Sequence, residues 1–414
     1  MNILFVHQNF PAQFKFLAPT LVDAGHNVVA LTLKKFDANE WEGVSIVNYQ
    51  IKRTSSKTIH PWITDIETKT IRGEACFDKA VELSGEGFSP DIILGHHSWG
   101  ETMFLKYVWP DAKMGLYCEF YYHATGYDVG FDPEFEGQEE KNKCRMKIKN
   151  VNNHLHLDIA DSAISPTQWQ ADSFPAEFRK KISVVHDGID TQVLVPDPSA
   201  IFVVDAKISL SKNDEVITFV NRGLEPYRGF HIFMRALPEI LNRNRNAEIV
   251  IVGADTHAYG KAPEGGTSWR EVLTKEVQPL INSKDWERVH FVGTLPYDRF
   301  LALLCVSSVH VYLTYPFILS WSLLEAMSLG SAIVASDTGP LEGIVVNDQT
   351  GRLVDFFDKD ALAEQVSNLL ADENLQAKLG KNARKFVVEN FDLKTVCLPR
   401  QIEWVYDLAG RGDS

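Results

Sequence analysis

Cysteine is scarce in this chain and forms no motif. The five residues Cys76, Cys118, Cys144, Cys305 and Cys397 are widely spaced and include no C-x-x-C. That argues against a disulfide frame and a zinc site and points to reduced thiols in a cytoplasmic setting. An excess of positive charge is also missing: 41 Lys and Arg against 55 Asp and Glu leave a net charge of -14. No global field would attract a phosphate backbone, so nucleic acid is not an expected partner. Met1 and Asn2 bring no Lys or Arg to the N-terminus, and residues 3–6 are a strand-length apolar run, so no signal peptide is expected. Residues 300–324 contain no Asp, Glu, Lys or Arg, enough chain to cross a bilayer. But Ser307, Ser308, His310, Thr314, Pro316, Ser320 and Ser322 interrupt it. The segment reads as a helix end, a buried strand, a loop and a helix start.

What is present is α/β patterning. With 414 residues the chain is too long for one ordinary core and suits two domains. Residues 2–6 read as a strand, 7–13 as a loop, and a helix is expected from Phe14. Phe14, Leu17, Leu21 and Val22 would share one helix face, and Gly25 would stop it. Strands are expected at 28–31, 91–94, 114–117 and 182–185, with a turn at 186–190. This β-α-β opening implies a parallel sheet. Residues 196–206 hold two prolines and no clear period, which suggests a linker. The expected division is a first domain over 1–195, a linker over 196–211 and a second domain over 212–392. A C-terminal segment, 393–414, would cross back to the first domain. The second series has strands at 216–220, 249–252, 289–292, 310–313 and 332–335, with helices at 321–329, 361–370 and 375–388.

Chemistry concentrates after the strands. In open α/β sheets, ligands bind outside the carboxyl ends of strands. Arg222 ends the strand VITFVNR, and Arg228 precedes a helix that starts near Gly229. A cation at a helix N-terminus opposes the macrodipole, so two arginines there are easier to explain if an anion bridges them. Solvated surface arginines are the plainer alternative. Residues 314–330 form a loop and helix with one acid, Glu325, in the first turns, placed to accept hydrogen bonds from sugar hydroxyls. A dipole-favouring surface acid is the plainer reading of it.

The only D-x-D, Asp358-Lys359-Asp360, reads as a helix cap and first-turn acid, not a metal site. His96, His97, Trp99 and Glu101 follow one strand and His123 follows another, so either could meet an acceptor hydroxyl or sit half-buried in the core. Tyr121, Tyr122 and Tyr127 could add sugar-stacking faces or belong to the core. Lys141, Lys143, Arg145, Lys147 and Lys149 form a basic helix, which could meet anionic lipid as a peripheral membrane contact or be a solvated face. Arg411-Gly412-Asp413 matches an adhesion tripeptide in letters alone and reads as a frayed tail.

Long strings carry a resemblance: FVHQNFPAQF, SPTQWQADSFPAEFRKKISVVHDGID and VGADTHAYGKAPEGGTSW. With these, nearly the whole chain resembles the family 4 retaining glycosyltransferases, also called group 1, and one bacterial subgroup of them in particular. The resemblance implies the GT-B fold, with two facing Rossmann-like α/β domains and parallel sheets. It implies a donor diphosphate gripped by Arg222 and by Arg228 before Gly229, with arginine where lysine is usual. It implies an E-x7-E signature whose second glutamate, on the donor ribose, is Glu325. Its first position is Phe317, so the motif is half present. Gly223, Ser320, Trp321 and Ser322 complete the implied donor set.

Ala12 and Gln13 stand where small glycines are common. The first-domain catalytic histidine is matched loosely by His123, and Asn9, Gln13, His96 and Glu101 fall on the acceptor side. The expected activity is retaining hexosyl transfer from a nucleotide diphosphate sugar, without metal or other cofactor, in surface polysaccharide or glycoconjugate synthesis. The acceptor would be a glycan or lipid-linked hydroxyl. A catalytically silent subunit that binds a partner enzyme and a nucleotide-sugar epimerase are the alternatives. Oligomeric state is not readable from the sequence.

Overall fold

A computed structural model describes residues 1–135, 139–256 and 258–410. The chain divides into two compact units, Met1–Gly188 with Leu393–Ser414, and Ile189–Asp392.

The first unit is built on an eight-stranded sheet in the order β3-β4-β2-β1-β5-β6-β7-β8. Its strands are β1 (Asn2–Val6), β2 (Asn27–Thr32), β3 (Glu40–Trp41), β4 (Val44–Asn48), β5 (Ile92–His96), β6 (Lys113–Tyr117), β7 (Ser162–Ser165) and β8 (Ile182–Val184). All pairings are parallel except the short β3–β4 edge. Both sheet faces are covered, so the strands are apolar throughout. In β1, Leu4 and Val6 enter one core while Ile3 and Phe5 enter the other. The helix expected from Phe14 begins at Leu17, after a short 3-10 turn, Ala12–Phe14.

The C-terminal helix, Leu398–Leu408, belongs to this unit. Trp404, Val405 and Leu408 pack in the core beneath β1, and the Trp404 indole donates to Ser162 Oγ at 2.9 Å.

The second unit opens with an antiparallel pair, β9 (Ile201–Val203) and β10 (Ser209–Ser211). Its main sheet, all parallel, runs β13-β12-β11-β14-β15-β16. The strands are β11 (Val216–Gly223), β12 (Glu248–Ala254), β13 (Val289–Gly293), β14 (Val309–Tyr312), β15 (Ala332–Ser336) and β16 (Arg352–Val354).

The linker expected at 196–211 is corrected here. Phe202 and Leu210 are buried in the second unit's main core, and the division falls earlier, between Gly188 and Ile189. The two prolines shape the approach to a hairpin that caps this core; they do not mark a separation.

The uncharged stretch 300–324 resolves into the end of the helix Tyr297–Val306, then β14, a loop, and the start of the helix Trp321–Ser328. Among the described residues no helix is long and apolar enough to cross a membrane. Asp358 caps the helix Lys359–Leu370, accepting from the backbone N–H groups of Asp360 and Ala361. The basic helix is present as Glu139–Lys149, with the Lys149 ammonium 3.7 Å above the Tyr122 ring. The Arg411-Gly412-Asp413 tail lies outside the described residues.

Candidate functional site

Each unit has a point where strand order reverses, and in α/β sheets the crevice beyond the carboxyl ends at that point is where ligands bind. In the second unit it falls between β11 and β14.

Arg222 and Gly223 end β11, and Arg222 is exposed. Gly223 is there because of a close approach: a Cβ would sit 2.4 Å from the Thr256 carbonyl oxygen. Arg228 follows in a 3-10 turn, Pro226–Arg228, and is 5% exposed. Its Nη1 donates to Thr314 Oγ1 at 2.7 Å, to the Ile318 carbonyl at 3.0 Å and to the Tyr312 hydroxyl at 3.4 Å. These bonds hold the guanidinium against the end of β14. Gly229 then turns the chain into the helix Phe230–Arg243 at φ +68°, with Leu313 Cβ 2.3 Å from where a Cβ would lie. A side chain there is excluded on both counts. Arg228 is thus a buried, oriented cation and Arg222 a surface one. The plainer reading of two solvated arginines holds for Arg222 alone.

The loop after β14 leads to the helix Trp321–Ser328, capped by Ser320, whose Oγ accepts from Ser322 N at 3.4 Å. The Ser320 N–H donates to the Tyr312 hydroxyl at 3.0 Å. Two of the N–H groups expected to face phosphate therefore already hold internal partners. Trp321, between them, is exposed. Glu325 is the helix's fifth residue, so it stands one turn deeper than a first-turn acid, and it is half-buried. Its Oε1 accepts from the Tyr297 hydroxyl at 2.7 Å. Burial, then the Glu325 carboxylate, raises the Tyr297 phenol well above its ordinary range. Phe317 is not open to the crevice. It is 6% exposed, with ring centroids of Tyr259 at 5.3 Å and Tyr227 at 5.6 Å.

Sequence reasoning missed Glu225. This fully buried carboxylate accepts from three successive backbone groups, the N–H of Ala258, Tyr259 and Gly260, at 2.8 to 3.2 Å. It anchors the loop after β12 and lays the Tyr259 ring 5.2 Å from the Arg228 guanidinium. An acid three residues before Arg228 was visible, but its partners lie more than thirty residues on, and only the fold brings them together.

The first unit's reversal point lies between β1 and β5. His7 follows β1 and His96 ends β5, with ring centroids 5.6 Å apart; Trp99 lies 5.7 Å from His96 and 6.4 Å from His7. His96 Nδ1 accepts from Ser98 N, and its Nε2 lies 3.8 Å from a Glu119 oxygen. Glu101, fully buried, accepts the Tyr49 hydroxyl at 2.5 Å. Burial pushes its carboxyl up to about 7, against the pull of the Tyr49 hydrogen bond and of Arg72. Burial also lowers the imidazoles of His7 and His97, each to about 4.

The Trp99 indole N–H, His96 Nε2, Glu101 Oε2 and Gln13 Oε1 are buried polar atoms without a hydrogen-bond partner among the described residues. Gln13, His96 and Glu101, expected on the acceptor side, thus each carry one such buried polar atom. Asn9 is exposed, its N–H bonded to His7 Nδ1 at 3.0 Å. His123 stands apart from the His7–His96–Trp99 group. Its Nε2 is 2.6 Å from the Ser173 carbonyl, and its ring stacks on Tyr127 at 4.2 Å. His7, missed from sequence, carried the usual signal of a polar residue directly after the first strand.

Comparison with known proteins agrees with this architecture. The glycosyl transferase family 4 group model matches residues 24–194, and the glycosyl transferases group 1 model matches residues 203–386. The chain belongs to this glycosyltransferase family, family 4 of group 1, and its fold is the two-domain α/β fold called GT-B. Among curated relatives, D-inositol 3-phosphate glycosyltransferase of Corynebacterium efficiens is 26% identical over 49% of this chain and 46% of its own length. The GDP-mannose-dependent alpha-(1-6)-phosphatidylinositol monomannoside mannosyltransferase of Mycolicibacterium smegmatis is 25% identical over 57% and 60%. The chain thus spans about half the length of the curated relatives it matches. Among solved structures, sucrose-phosphate synthase of Thermosynechococcus elongatus superposes with a TM-score of 0.70 at 20% identity, covering 99% of this chain and 100% of that one. Anabaena HepE, crystallised with UDP and glucose, gives 0.66 at 17% identity over 98% and 99%. At these identities the structural likeness speaks for the fold.

Proposed function

We infer that the protein transfers a hexose from a nucleotide diphosphate sugar to a hydroxyl of a glycan or lipid-linked acceptor, with retention of anomeric configuration. The observation that carries this reading is Arg228, a buried guanidinium held by Tyr312, Thr314 and Ile318 at the point where strand order reverses. With Arg222 it would bind the donor diphosphate and stabilise the charge that develops as the C1–oxygen bond to the diphosphate breaks. The Ser320 and Ser322 N–H groups would exchange their internal partners for phosphate oxygens.

Glu325, oriented by Tyr297, would accept from the ribose hydroxyls. The acceptor oxygen forms its bond to C1 on the face the diphosphate leaves, and its proton passes to a diphosphate oxygen, so no protein nucleophile is required. Neither step calls for a metal, because permanent cations carry the charge. Gln13, His96, Trp99 and Glu101 would offer polar atoms to acceptor hydroxyls at the first unit's edge. His123, held by Ser173, would act at most through that edge. The basic helix could rest on anionic lipid, which suits a cytoplasmic protein acting on a lipid-linked acceptor. Relatives named for inositol phosphate and phosphatidylinositol monomannoside support a polyol or glycolipid acceptor, and surface glycoconjugate synthesis would be its setting.

Turnover of UDP-, GDP- and ADP-sugars with glycan and lipid acceptors, with the product's anomeric configuration read by NMR, tests the reading. Wild-type activity in both Arg228→Ala and Glu325→Ala would remove it. The buried Phe317 motivates a second reading, a silent subunit. Nucleotide-sugar binding with no transfer or hydrolysis, alone or with a partner enzyme, would favour it. Epimerised nucleotide sugar without any acceptor would instead reveal an epimerase.

A further inference from the structure

Position 317 is where the family's signature places a carboxylate near the donor sugar, and here it is phenylalanine. The packing shows that this ring does not take over the contact. Phe317 is enclosed edge-on by Tyr227, at 88° between ring planes, and by Tyr259, at 67°. Tyr259 is different. It is 39% exposed, it lies on the outer side of Phe317, and its ring faces the Arg228 guanidinium at 5.2 Å.

Its loop is tightly held. The Glu225 carboxylate takes the N–H groups of residues 258, 259 and 260 together, and a Cβ at Gly260 would approach Glu225 Oε2 to 3.2 Å. A carboxylate withdrawn from water and spent on three consecutive amides fixes a loop conformation, the form of support that precise sites need. A pyranose joined through its bridging oxygen to a diphosphate on Arg228 would come within reach of this ring, 5.2 Å from the guanidinium. Pyranoses carry an apolar C–H face that packs on aromatic rings, and a phenol adds a hydrogen-bonding edge.

We propose that Tyr259, not position 317, contacts the hexopyranose of the donor, with Phe317 as its buttress and Glu225 as the positioning residue that fixes its loop. This rests on the reading of the second unit as a nucleotide diphosphate sugar site.

The test is calorimetric titration of wild type, Tyr259→Ala, Tyr259→Phe and Glu225→Gln with UDP, GDP, UDP-glucose and GDP-mannose. For whichever sugar nucleotide wild type binds, Tyr259→Ala is expected to lose about 10-fold in affinity. Its affinity for the matching free nucleotide should stay within about twofold. Tyr259→Phe should keep most of the sugar-dependent affinity, and Glu225→Gln should show the same split as Tyr259→Ala. Equal losses for nucleotide and sugar nucleotide would mean that Tyr259 serves only to hold Arg228, and would overturn the proposal. Unchanged affinity for both in Tyr259→Ala would overturn it as well. A wild type that binds free nucleotide and no sugar nucleotide goes against Tyr259 alone. A wild type that binds neither goes against the nucleotide-sugar reading and takes this inference with it.

Discussion

The two units place their polar residues at the same topological point and equip it in opposite ways. At the first unit's reversal point, burial drives three groups toward their neutral forms: His7 and His97 down to about 4, Glu101 up to about 7. At the second, the groups in place are the guanidinium groups of Arg222 and Arg228, and Glu325, which a phenol holds. One edge offers neutral hydrogen-bonding atoms, some without partners. The other offers fixed charge. Neutral donors and acceptors suit hydroxyl groups and fixed cations suit phosphate, which is the contrast that the proposed acceptor and donor edges require.

The largest expected effect would break the charged edge. Arg228→Ala removes a buried cation and leaves Thr314 and the Ile318 carbonyl without their donor. Transfer should fall by about 100-fold or more, measured as kcat/KM, while Arg228→Lys should retain part of the activity because the charge survives without the planar fork.

Next, Glu325→Ala should weaken nucleotide binding by about 10-fold or more, the size of a hydrogen bond to a charged acceptor. Tyr297→Phe should give a smaller loss of the same kind, both read by titration with UDP and GDP. Equal effects from the two variants would show that the phenol, not the carboxylate, meets the ribose.

The neutral edge is tested by pH. Glu101 has a folded pKa of about 7 against an ordinary 4.5. The folded state therefore binds more protons between these values. The stability this provides is full below pH 4.5 and is lost as pH rises through 7, by at most about 3 kcal/mol. The buried histidines act in the opposite sense. Their folded pKa is depressed, so their contribution is full above pH 6.5 and is lost as pH falls through 4. Glu101→Gln mimics the protonated acid. It should remove the loss of stability on raising pH from 4.5 to 7, measured as Tm against pH beside wild type. An unchanged wild-type slope would show that Glu101 is ionised in the fold.

The smallest effect lies off both edges. Asp358→Ala removes the cap on the helix Lys359–Leu370 and should cost about 1 kcal/mol in chemical denaturation. Transfer should be unchanged and insensitive to EDTA. Loss of activity reversed by added divalent ion would restore the D-x-D as a metal site.

Much of the fold was legible because burial on both faces writes strands as continuous apolar runs. Residues 2–6 matched β1 residue for residue, and the expected strand cores at 216–220 and 249–252 lie inside β11 and β12. The hairpin at 201–211 was not legible. Its two strands are three residues each, and each buries a single central side chain, Phe202 or Leu210, too little for a period to show. Arg228 and Glu325 could be picked out because Arg228 sits between a strand end and a helix start, and Glu325 is the one acid of 314–330. Their partners could not: Tyr312 and Thr314 meet Arg228 across more than eighty residues, and Tyr297 reaches Glu325 from another helix.

The sequence by itself determined the class of architecture, the family and the positions of the permanent charges, since apolar periodicity and residue identity are local properties. Only the tertiary structure decided that Arg228 is buried while Arg222 is not, and that Phe317 is enclosed while Tyr259 is partly open. It also decided that Glu225 is spent on a loop and that burial pushes the Glu101 carboxyl up. Each of these depends on which distant groups exclude water from a side chain, and that is set when the strands assemble.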